Sequence, residues 1–464
     1  MELALLLDIG STYTKGTVVR LDDLKLEARA KALTTVESDV NEGIENVLAE
    51  LEKKGINLDD INHRLACSSA AGGLKMVAIG LVPDLTSEAA KRAALGAGAK
   101  VADVYSYELS AVEVEEITAQ SPDVILLAGG TDGGNKDIIL QNAKKIAASD
   151  LSAPIIAAGN KVAAREVEEI LKQAEKSVYV TQNVMPELEK LNIEPAREKI
   201  REIFLNQIIY AKGLAQAREK IEGIIMPTPS AVMKAAELIA EGSGEEEGLG
   251  ELVVVDIGGA TTDVHSAASG EPTKSGVNMR GLEEPYVKRT VEGDLGMRYS
   301  ASSLLEAAGE QEMISYLPGG ETKEGLINYI NKVKEDIRHI PESKKEEQLD
   351  TALAKAAVKL AIKRHVGNIK TVYSPFGESY VQRGKDLTEL ELMIGTGGVI
   401  VNSLNPAEIL EEGFFSEDEP TCLAPKGSNL MVDSDYILAA VGLLAEVYPT
   451  KAFKLAKRHL KEVG

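Results

Sequence analysis

The chain has 464 residues, enough for roughly two to four domains of ordinary size. Its 51 lysines and arginines stand against 73 aspartates and glutamates, and the resulting net charge of −22 repels a phosphate backbone. Tryptophan is absent, so aromatic platforms for stacking bases are scarce, and we expect no nucleic-acid partner.

The two cysteines form no CxxC pair and the five histidines no HxxxH pair, so a disulfide framework or a zinc site of standard spacing has no support. Residues 1–3 lead straight into an apolar strand without the basic segment and cleavage site of a signal peptide. No uncharged apolar run approaches the roughly 18 residues that a membrane span needs. We therefore expect a cytoplasmic protein that makes no membrane contact.

The N-terminal pattern predicts a hairpin, with strands at 3–7 and 16–20 joined by a tight turn at 8–15. A helix at 41–54 and a strand at 63–68 follow. From 69 to 220, strands near 100–105, 123–128, 153–158 and 178–181 alternate with helices at 110–119, 136–148 and 161–175. This alternation predicts βαβ units and a parallel sheet, which we interpret as an inserted α/β domain.

The loop Gly129–Asn135 of this segment lies between a predicted strand and a predicted helix, and two interpretations are open. A helix N-terminus with free N–H groups is a potential anion site. The alternative is a glycine-shaped turn with Asp132 or Asn135 as the helix cap, and the pattern favours this second interpretation. The loop matches neither GxxxxGK[ST] nor GxGxxG, so it implies no nucleotide.

A helix is predicted at 224–240, with Pro227 and Pro229 fixing its entry and Ser230 as a candidate cap. After an acidic, glycine-rich link at 242–248, a strand at 252–255 and a turn at 256–265 repeat the N-terminal hairpin. Setting Asp8 on Asp256 aligns Asp-Ile-Gly with Asp-Ile-Gly 248 residues later. Two such hairpins indicate that one half of the chain is a duplicate of the other.

The paired hairpins predict a site for polyphosphate. Glycines let the backbone approach an anion, and hydroxyl groups supplement the N–H groups of each turn. Thr14 aligns with Thr262, and Lys15 aligns with Asp263. One hairpin would therefore offer a cation to phosphate, and the other a carboxylate to a hydrated metal ion or to water. We expect the two turns to face each other across the ligand.

These residues resemble the actin-like ATPase superfamily, which includes sugar kinases and heat-shock chaperones. Its two phosphate loops are similar to 8–15 and 256–263, its two connecting helices to 226–231 and 435–442, and its adenosine loop to 393–400. The segment 292–296 resembles the one that follows the second phosphate loop. The resemblance implies an α/β fold of two duplicated ribonuclease-H-like lobes around a nucleotide cleft, with an inserted α/β domain.

Within the superfamily, the strings at 7–15, 126–135 and 291–296 resemble the glutamate mutase L family most closely. That family is unrelated to the mismatch-repair protein of the same abbreviation. The resemblance implies ATP or ADP with Mg²⁺ as cofactors, subunits of an adenosylcobalamin-dependent mutase as partners, and a role in reactivating or chaperoning that enzyme. A homodimer is an open possibility.

The predicted site residues follow from these motifs. We expect Asp8 and Asp256 to hold the metal ion, and Asp256 and Asp263 to act in catalysis. The nucleotide is expected to contact the two hairpins and two glycine segments, namely Asp8, Gly10, Ser11, Thr12, Tyr13, Thr14, Lys15, Gly258, Gly259, Ala260, Thr261, Thr262, Gly293, Asp294, Gly395, Thr396, Gly397 and Gly398.

One position departs from the superfamily. Chaperone ATPases carry an acidic residue just before the proline of the first connecting helix, and this chain has Met226. An apolar side chain orients no water, so slow ATP hydrolysis is expected. The alternatives are a small-molecule kinase of the same fold, for which no general base is identified, and an iron–sulfur dehydratase activator, for which Cys67 and Cys422 are the only thiols.

The predicted domain boundaries are 1–68 for the first lobe core, 69–223 for the insert, 224–248 for the first connecting helix and acidic link, 249–299 for the second lobe core, 300–386 for a small subdomain, and 387–464 for the rest of the second lobe. Because the insert lies outside the shared ATPase elements, we expect it to recognise the partner. Two lysine-rich helices, at 355–365 and 451–461, are interpreted as solvated faces or as docking sites for an acidic partner.

Overall fold

The computed structural model describes residues 2–10, 13–34, 40–69, 74–206, 224–317, 322–374 and 377–464. The chain divides into two compact units. The first comprises Met1–Val232, Gly281–Glu283 and Gly442–Val447, and the second Met233–Arg280, Glu284–Val441 and Tyr448–Gly464. Two predicted site residues, Ser11 and Thr12, and the predicted end of the insert at 207–223 lie outside the described residues. Among the described helices, none combines the length and the apolar character needed to cross a bilayer.

The first sheet of the first unit has the strand order β10-β4-β1-β2-β3. Strands β1, β2 and β3 are antiparallel, whereas β4 and β10 run parallel to β1. Its elements are β1 Leu3–Ile9, β2 Tyr13–Arg20, β3 Lys25–Leu33, α1 Val40–Lys53, β4 His63–Ser68, β10 Ile224–Pro227 and α7 Thr228–Glu241. Strand β1 is buried along almost its whole length, as an apolar run in the middle of a covered sheet should be.

The segment after β4 forms a second sheet, with the order β6-β5-β7-β8-β9 and every pair parallel. Its elements are β5 Lys75–Gly80, α2 Glu88–Gly96, β6 Lys100–Ser106, α3 Ala111–Gln120, β7 Val124–Leu127, α4 Asp137–Ala147, β8 Ile155–Ala157, α5 Ala164–Gln173, β9 Val178–Val180 and α6 Glu194–Ile203. Helices cross between successive strands, as the alternating pattern predicts. The boundaries of the insert remain a prediction.

Two sequence interpretations of the first unit are corrected here. Strand β5, the second strand of the parallel sheet, was not among the predicted strands, because its short apolar run carries no alternation that separates a strand from a buried helix. Residues 224–227, predicted as helix, form strand β10. Ser230 does not cap the helix either, because it lies within α7 and not before its first residue. Its hydroxyl donates to the carbonyl of Ala97 at 3.1 Å.

The main sheet of the second unit has the order β14-β12-β11-β17-β18-β19. Strands β11, β12 and β14 are antiparallel, and β17 and β18 run parallel to β11. Its elements are β11 Leu252–Ile257, β12 Thr262–Ala267, β14 Val287–Glu292, β17 Leu392–Thr396, α12 Gly398–Asn402, α13 Pro406–Leu410, β18 Asn429–Asp433, α14 Leu438–Ala445, α15 Pro449–His459 and β19 Leu460–Glu462. Valines fill the buried face of β11.

A helical layer and a small sheet complete the second unit. The helices are α8 Ala301–Ala308, α9 Glu310–Tyr316, α10 Lys323–Glu335 and α11 Lys344–His365. The sheet has the order β13-β16-β15, from β13 Val277–Met279, β15 Asn368–Ser374 and β16 Gly377–Arg383. Helix α11 buries leucine, alanine and valine side chains in the core of this unit.

The two units repeat one topology. Five strands correspond in order and direction: β1, β2, β3, β4 and β10 of the first unit match β11, β12, β14, β17 and β18 of the second. In the chain, β10 is followed by helix α7 and β18 by helix α14. This strand order confirms the duplication that the paired Asp-Ile-Gly hairpins predict and the actin-like α/β fold that the resemblance implies.

Candidate functional site

The first predicted phosphate hairpin joins β1 to β2, with Asp8 opposite Lys15. The N–H of Gly10 donates to the carbonyl of Tyr13 at 3.0 Å and closes the turn. A Cβ on Gly10 would lie 2.7 Å from that carbonyl oxygen, closer than a real Cβ sits, so the turn requires glycine there.

Three elements hold the Asp8 carboxylate. The Thr228 hydroxyl, at the start of α7, donates to Asp8 Oδ1 at 2.8 Å. The ammonium group of Lys15 lies 3.6 Å from Oδ2, and the Cys67 thiol on β4 lies 3.7 Å from Oδ1. Asp8 thus has a fixed position at the end of a central strand, where its hard oxygens suit a hydrated Mg²⁺.

Met226 lies on β10, opposite Cys67 in the sheet, and is buried. The acidic residue that chaperone ATPases carry at this position is therefore replaced by an apolar side chain packed in the sheet. The Thr228 hydroxyl, two residues further along the chain, is engaged with Asp8.

The second hairpin joins β11 to β12 and closes in the same way. Asp256 stands opposite Asp263, and the N–H of Gly258 donates to the carbonyl of Thr261 at 2.9 Å. A Cβ on Gly258 would lie 3.0 Å from that oxygen. The repeat seen in the sequence is thus a repeat of backbone hydrogen bonding.

Asp263 forms a buried ion pair that the sequence did not indicate. Arg289 on β14 donates to Oδ1 through Nε at 2.9 Å and Nη2 at 2.6 Å, and the Thr261 hydroxyl donates to Oδ2 at 2.9 Å. Both carboxylate oxygens of Asp263 therefore accept hydrogen bonds within the unit. Its predicted role in catalysis stays a prediction.

Two predicted phosphate ligands have hydroxyl groups that bond within the fold. Thr14 and Thr262 are fully buried. The Thr14 hydroxyl lies 2.9 Å from that of Thr34, and the Thr262 hydroxyl donates to the carbonyl of Leu295 at 2.7 Å. Side chains alternate between the faces of a strand, and both threonines fall on the inner face. These hydroxyls support the hairpins, and the phosphate contact of the two residues stays a prediction.

The segment after β14 packs against the second hairpin. The Arg298 N–H donates to the carbonyl of Gly259 at 2.8 Å, and the Ser300 hydroxyl bridges the carbonyls of Ala260 and Gly293 at 2.9 and 2.8 Å. These bonds fix the carbonyl side of the turn and hold Gly259 and Ala260 in place.

Asp294, a predicted nucleotide contact, is paired with Arg364 at the end of α11. The guanidinium donates to both carboxylate oxygens, at 2.7 and 2.9 Å, and also to Glu292 at 2.7 Å. These hydrogen bonds lower the pKa of Asp294 and raise that of Arg364. Arg364 therefore ties helix α11 to the segment beside the hairpin.

The predicted adenosine loop connects β17 to α12. Gly395 and Thr396 are buried in the strand, where the Thr396 hydroxyl donates to Asp433 at 3.3 Å. Gly397 has φ +97°, and a Cβ there would overlap the Ile257 backbone. A Cβ on Gly398 would meet nothing within 4 Å. The loop thus contains one glycine that the fold requires and one that it does not.

Helix α14, the predicted second connecting helix, is fixed by Asp433. The Asp433 carboxylate accepts from the N–H groups of Ile437 and Leu438 at 2.8 and 3.0 Å. Within the first unit, a Cβ on Gly442 would overlap the carbonyl of Ala231 on α7. This glycine permits the close helix contact that the sequence predicted.

Sequence reasoning missed Thr228, Arg289, Arg364 and Asp433. A signal existed for Thr228 and Asp433, because a hydroxyl or a carboxylate at a helix start commonly binds backbone or neighbouring groups. No local pattern pairs Arg289 with Asp263 or Arg364 with Asp294, since both pairs depend on strand register and on helix packing.

The two cysteines have thiols of raised pKa. Burial raises the pKa of the Cys67 thiol well above its ordinary value, and the Asp8 carboxylate raises it further. Burial also raises the pKa of Cys422. Neither thiol is therefore a ready nucleophile, and the dehydratase-activator alternative stays a prediction. Among the described residues, no three His, Cys, Asp or Glu side chains form a ready metal cage.

The lysine-rich helix α11 is not an open basic face. Lys359 and Lys363 pair with Glu312 and Glu419 at 2.6 and 2.8 Å, and Lys355 pairs with Glu408. At the C-terminus, Lys454 and Lys457 lie 3.3 and 3.5 Å from Glu246. These lysines thus already form ion pairs with glutamates of the same chain, which leaves them less available to an acidic partner.

Comparisons with known proteins give matches that extend over almost the whole chain. A family model described as MutL protein matches residues 4–460. The protein "Protein MutL" of Clostridium tetanomorphum is 53% identical over 468 residues, covering 100% of both chains.

Solved structures share much lower identity. Component A of the Acidaminococcus fermentans (R)-2-hydroxyglutaryl-CoA dehydratase is 10% identical, covers 97% of this chain and 100% of its own, and has a TM-score of 0.33. Xylulose kinase of Bifidobacterium adolescentis is 11% identical, covers 100% and 95%, and has a TM-score of 0.33. The full-length family match and the identity to the Clostridium protein lead to one assignment. The chain belongs to the MutL protein family.

Proposed function

We propose that this chain is a cytoplasmic, ATP-dependent accessory factor that reactivates or chaperones an adenosylcobalamin-dependent mutase such as glutamate mutase. The observation that carries the nucleotide part is the repeated hairpin, in which Asp8 and Asp256 occupy equivalent strand ends and Gly10 and Gly258 close equivalent turns. Membership of the MutL family supports the mutase part.

Each unit supplies residues of the kind that bind Mg–ATP. Asp8 and Asp256 supply hard carboxylate oxygens, the ligands that Mg²⁺ takes beside water and phosphate. When bound, Mg²⁺ would neutralise charge on the phosphates. In this proposal Lys15 contacts phosphate, the turns at Gly10 and Gly258 let the backbone approach the ligand, and Gly398 leaves room for adenosine.

Hydrolysis is proposed to be slow. The apolar Met226 replaces a carboxylate, and the Asp263 carboxylate is engaged by Arg289 and Thr261. A long-lived ATP state suits a factor that must hold its partner in one form before release, because a ligand shifts an equilibrium only through different affinities for its states. Binding of the mutase would then provide acceleration.

The nucleotide site is tested by calorimetry with Mg–ATP. Asp8→Ala and Asp256→Ala should each weaken binding by about 1.5–3 kcal/mol, the usual value of a charge-assisted contact. Glu52→Ala and Asp418→Ala remove exposed carboxylates from the first and second units and serve as matched controls. Unchanged affinity in both test variants would refute the site.

The adenosine loop offers a sharper probe. Because a Cβ on Gly398 meets no protein atom, Gly398→Ala should leave folding unchanged and weaken ATP binding only if adenosine lies against this residue. Gly427, which also has open space, provides the control substitution Gly427→Ala. Equal ATP affinity of the two variants would place the base elsewhere.

The mutase role is tested with a mutase inactivated during turnover. Activity should return on addition of this chain, ATP and fresh adenosylcobalamin, and should not return with Asp8→Ala. Recovery of the same extent without ATP would contradict an ATP-dependent factor. Rapid phosphate release by the isolated chain would contradict slow hydrolysis, and Asp263→Asn tests that residue while keeping its shape.

A further inference from the structure

The parallel sheet of the first unit gathers its loops at one edge. Its strand order, β6-β5-β7-β8-β9, reverses between β5 and β7, and all pairs are parallel, so the loop after each strand lies at the carboxyl edge. In open α/β sheets this is the edge at which ligands bind. Five strands at ~4.8 Å spacing make the edge about 20 Å wide, enough for a protein contact.

Three large apolar side chains are exposed on this edge. Tyr107 follows β6, Val162 follows β8 and Leu188 follows β9, and they are 59%, 60% and 67% exposed. We call these three residues the edge patch. Single exposed apolar residues are ordinary, and we take these three together because the parallel strands place their loops at the same edge of the sheet.

Buried amides hold the loops of this edge. The Asn183 side chain donates to the carbonyl of Gly130 and to the carboxylate of Asp132, both at 3.0 Å, and the Asn160 side chain donates to the carbonyl of Gly134 at 3.1 Å. Both asparagines are almost fully buried. The loop Gly129–Asn135 is therefore held in place by hydrogen bonds. The Asp132 carboxylate at its centre disfavours the anion-site interpretation.

The backbone is strained at two positions of the same edge. Tyr107 and Glu189, neither of them glycine, have φ of +68° and +62°. Such conformations are unfavourable for residues with a Cβ and persist where the surrounding structure imposes them, commonly at functional sites. The strain at Tyr107 fixes the direction in which an exposed aromatic side chain is presented.

The rim of the edge is acidic. The loops at 81–87, 107–113, 128–137, 158–163 and 181–193 contain seven aspartates and glutamates but three lysines. Lys161 and Lys190 lie 3.8 and 3.4 Å from Asp132 and Glu187, and Lys145 of α4 lies 2.7 Å from Glu108. The exposed carboxylates of Asp84 and Glu189 add negative charge to the edge, which favours a partner that brings positive charge to it.

We propose that the edge patch and its acidic rim form the surface through which this chain docks a protein partner, a folded subunit whose matching face is apolar at its centre and rich in lysine and arginine around it. This inference rests on the proposed function, which supplies the partner as a mutase subunit. It assigns recognition to one edge of one sheet, and it leaves the nucleotide hairpins free for ATP.

The test is a binding titration of the full chain against purified mutase subunits. The variant Tyr107→Ser, Val162→Ser, Leu188→Ser should bind the mutase at least about tenfold more weakly, since truncated central contacts dominate interface energy. Its ATP affinity should stay within about twofold of the unaltered chain. The control variant Leu404→Ser, Ile340→Ser removes two apolar residues of the second unit that are even more exposed, at 90% and 76%, and should bind normally.

A charge test is independent of the apolar test. Asp84→Lys with Glu189→Lys should slow association and reduce its dependence on salt, whereas Glu389→Lys with Glu417→Lys should not. Equal mutase binding by the edge-patch variant and the unaltered chain would overturn this inference alone. Failure of the unaltered chain to bind the mutase, while it still binds ATP, would overturn the proposed mutase role and this inference together.

Discussion

Replacing Asp263 by alanine should destabilise the second unit by about 3–5 kcal/mol, the usual cost of removing one partner of a buried ion pair. The Arg289 side chain is 5% exposed and that of Asp263 15%, so water does little to replace the lost carboxylate. Two guanidinium hydrogen bonds, at 2.9 and 2.6 Å, lose their acceptor. A unit of ordinary stability, about 5–15 kcal/mol, would lose a large part of its margin.

The measurement is urea unfolding followed by far-ultraviolet circular dichroism, since the chain has no tryptophan to report by fluorescence. Hydrogen exchange at β11 and β12 then separates the second unit from the first. The double variant Asp263→Ala, Arg289→Met should recover much of the loss, because an apolar side chain replaces the stranded charge. Arg165→Ala, which breaks the exposed pair with Glu169, is the control and should leave the midpoint unchanged.

Two results would refute the conclusion that Asp263 and Arg289 form a buried, stabilising pair. One is a loss of unfolding free energy below about 1 kcal/mol in Asp263→Ala, and the other is a double variant less stable than Asp263→Ala. The result also matters for function. An ATPase defect in Asp263→Ala reports on chemistry only after its folding has been shown to be intact.

Three further predictions follow from burial and packing. Lowering the pH from 7 to 5 should destabilise the chain, because burial lowers the pKa of His265 to about 3 and that of His365 well below its ordinary value. Each histidine is neutral in the folded chain and gains a proton on unfolding below about pH 6.5. The free energy of unfolding therefore falls, for each histidine, by up to about 1.4 kcal/mol for every pH unit below that value. A urea midpoint that does not change with pH would contradict this. Gly397→Ala should lower the melting temperature, unlike Gly398→Ala, because only the former overlaps backbone and requires positive φ; equal melting curves would show that the loop relaxes. Cys67 should resist maleimide in the folded chain and react on addition of urea, as mass spectrometry of the labelled peptide would show, since it is buried and its pKa is raised; rapid labelling without urea would indicate that β4 opens.

The sequence by itself determined the duplication and the hairpins. Asp8 and Asp256 each precede Ile-Gly after an aliphatic run, and a tight turn between two strands is a local feature that needs no distant partner. The alternation of strands and helices after residue 69 predicted a parallel sheet for the same reason, since a crossover helix between two strands imposes that direction. The predicted helix at 110–119 is equally local, and the structure forms it as α3 Ala111–Gln120.

Only the tertiary structure decided which polar groups are used. Thr14 and Thr262 look like ligands in the sequence, and only the packed sheets show that their hydroxyls bond to Thr34 and to the carbonyl of Leu295. Strand β5 was missed because a short, continuously apolar run has the same pattern in a buried strand and in a buried helix. Arg289 reaches Asp263 through the register of β12 and β14, which sequence spacing does not specify. Local turns follow from short-range sterics, whereas ion pairs and buried hydroxyls depend on which distant residues the packed sheets bring together.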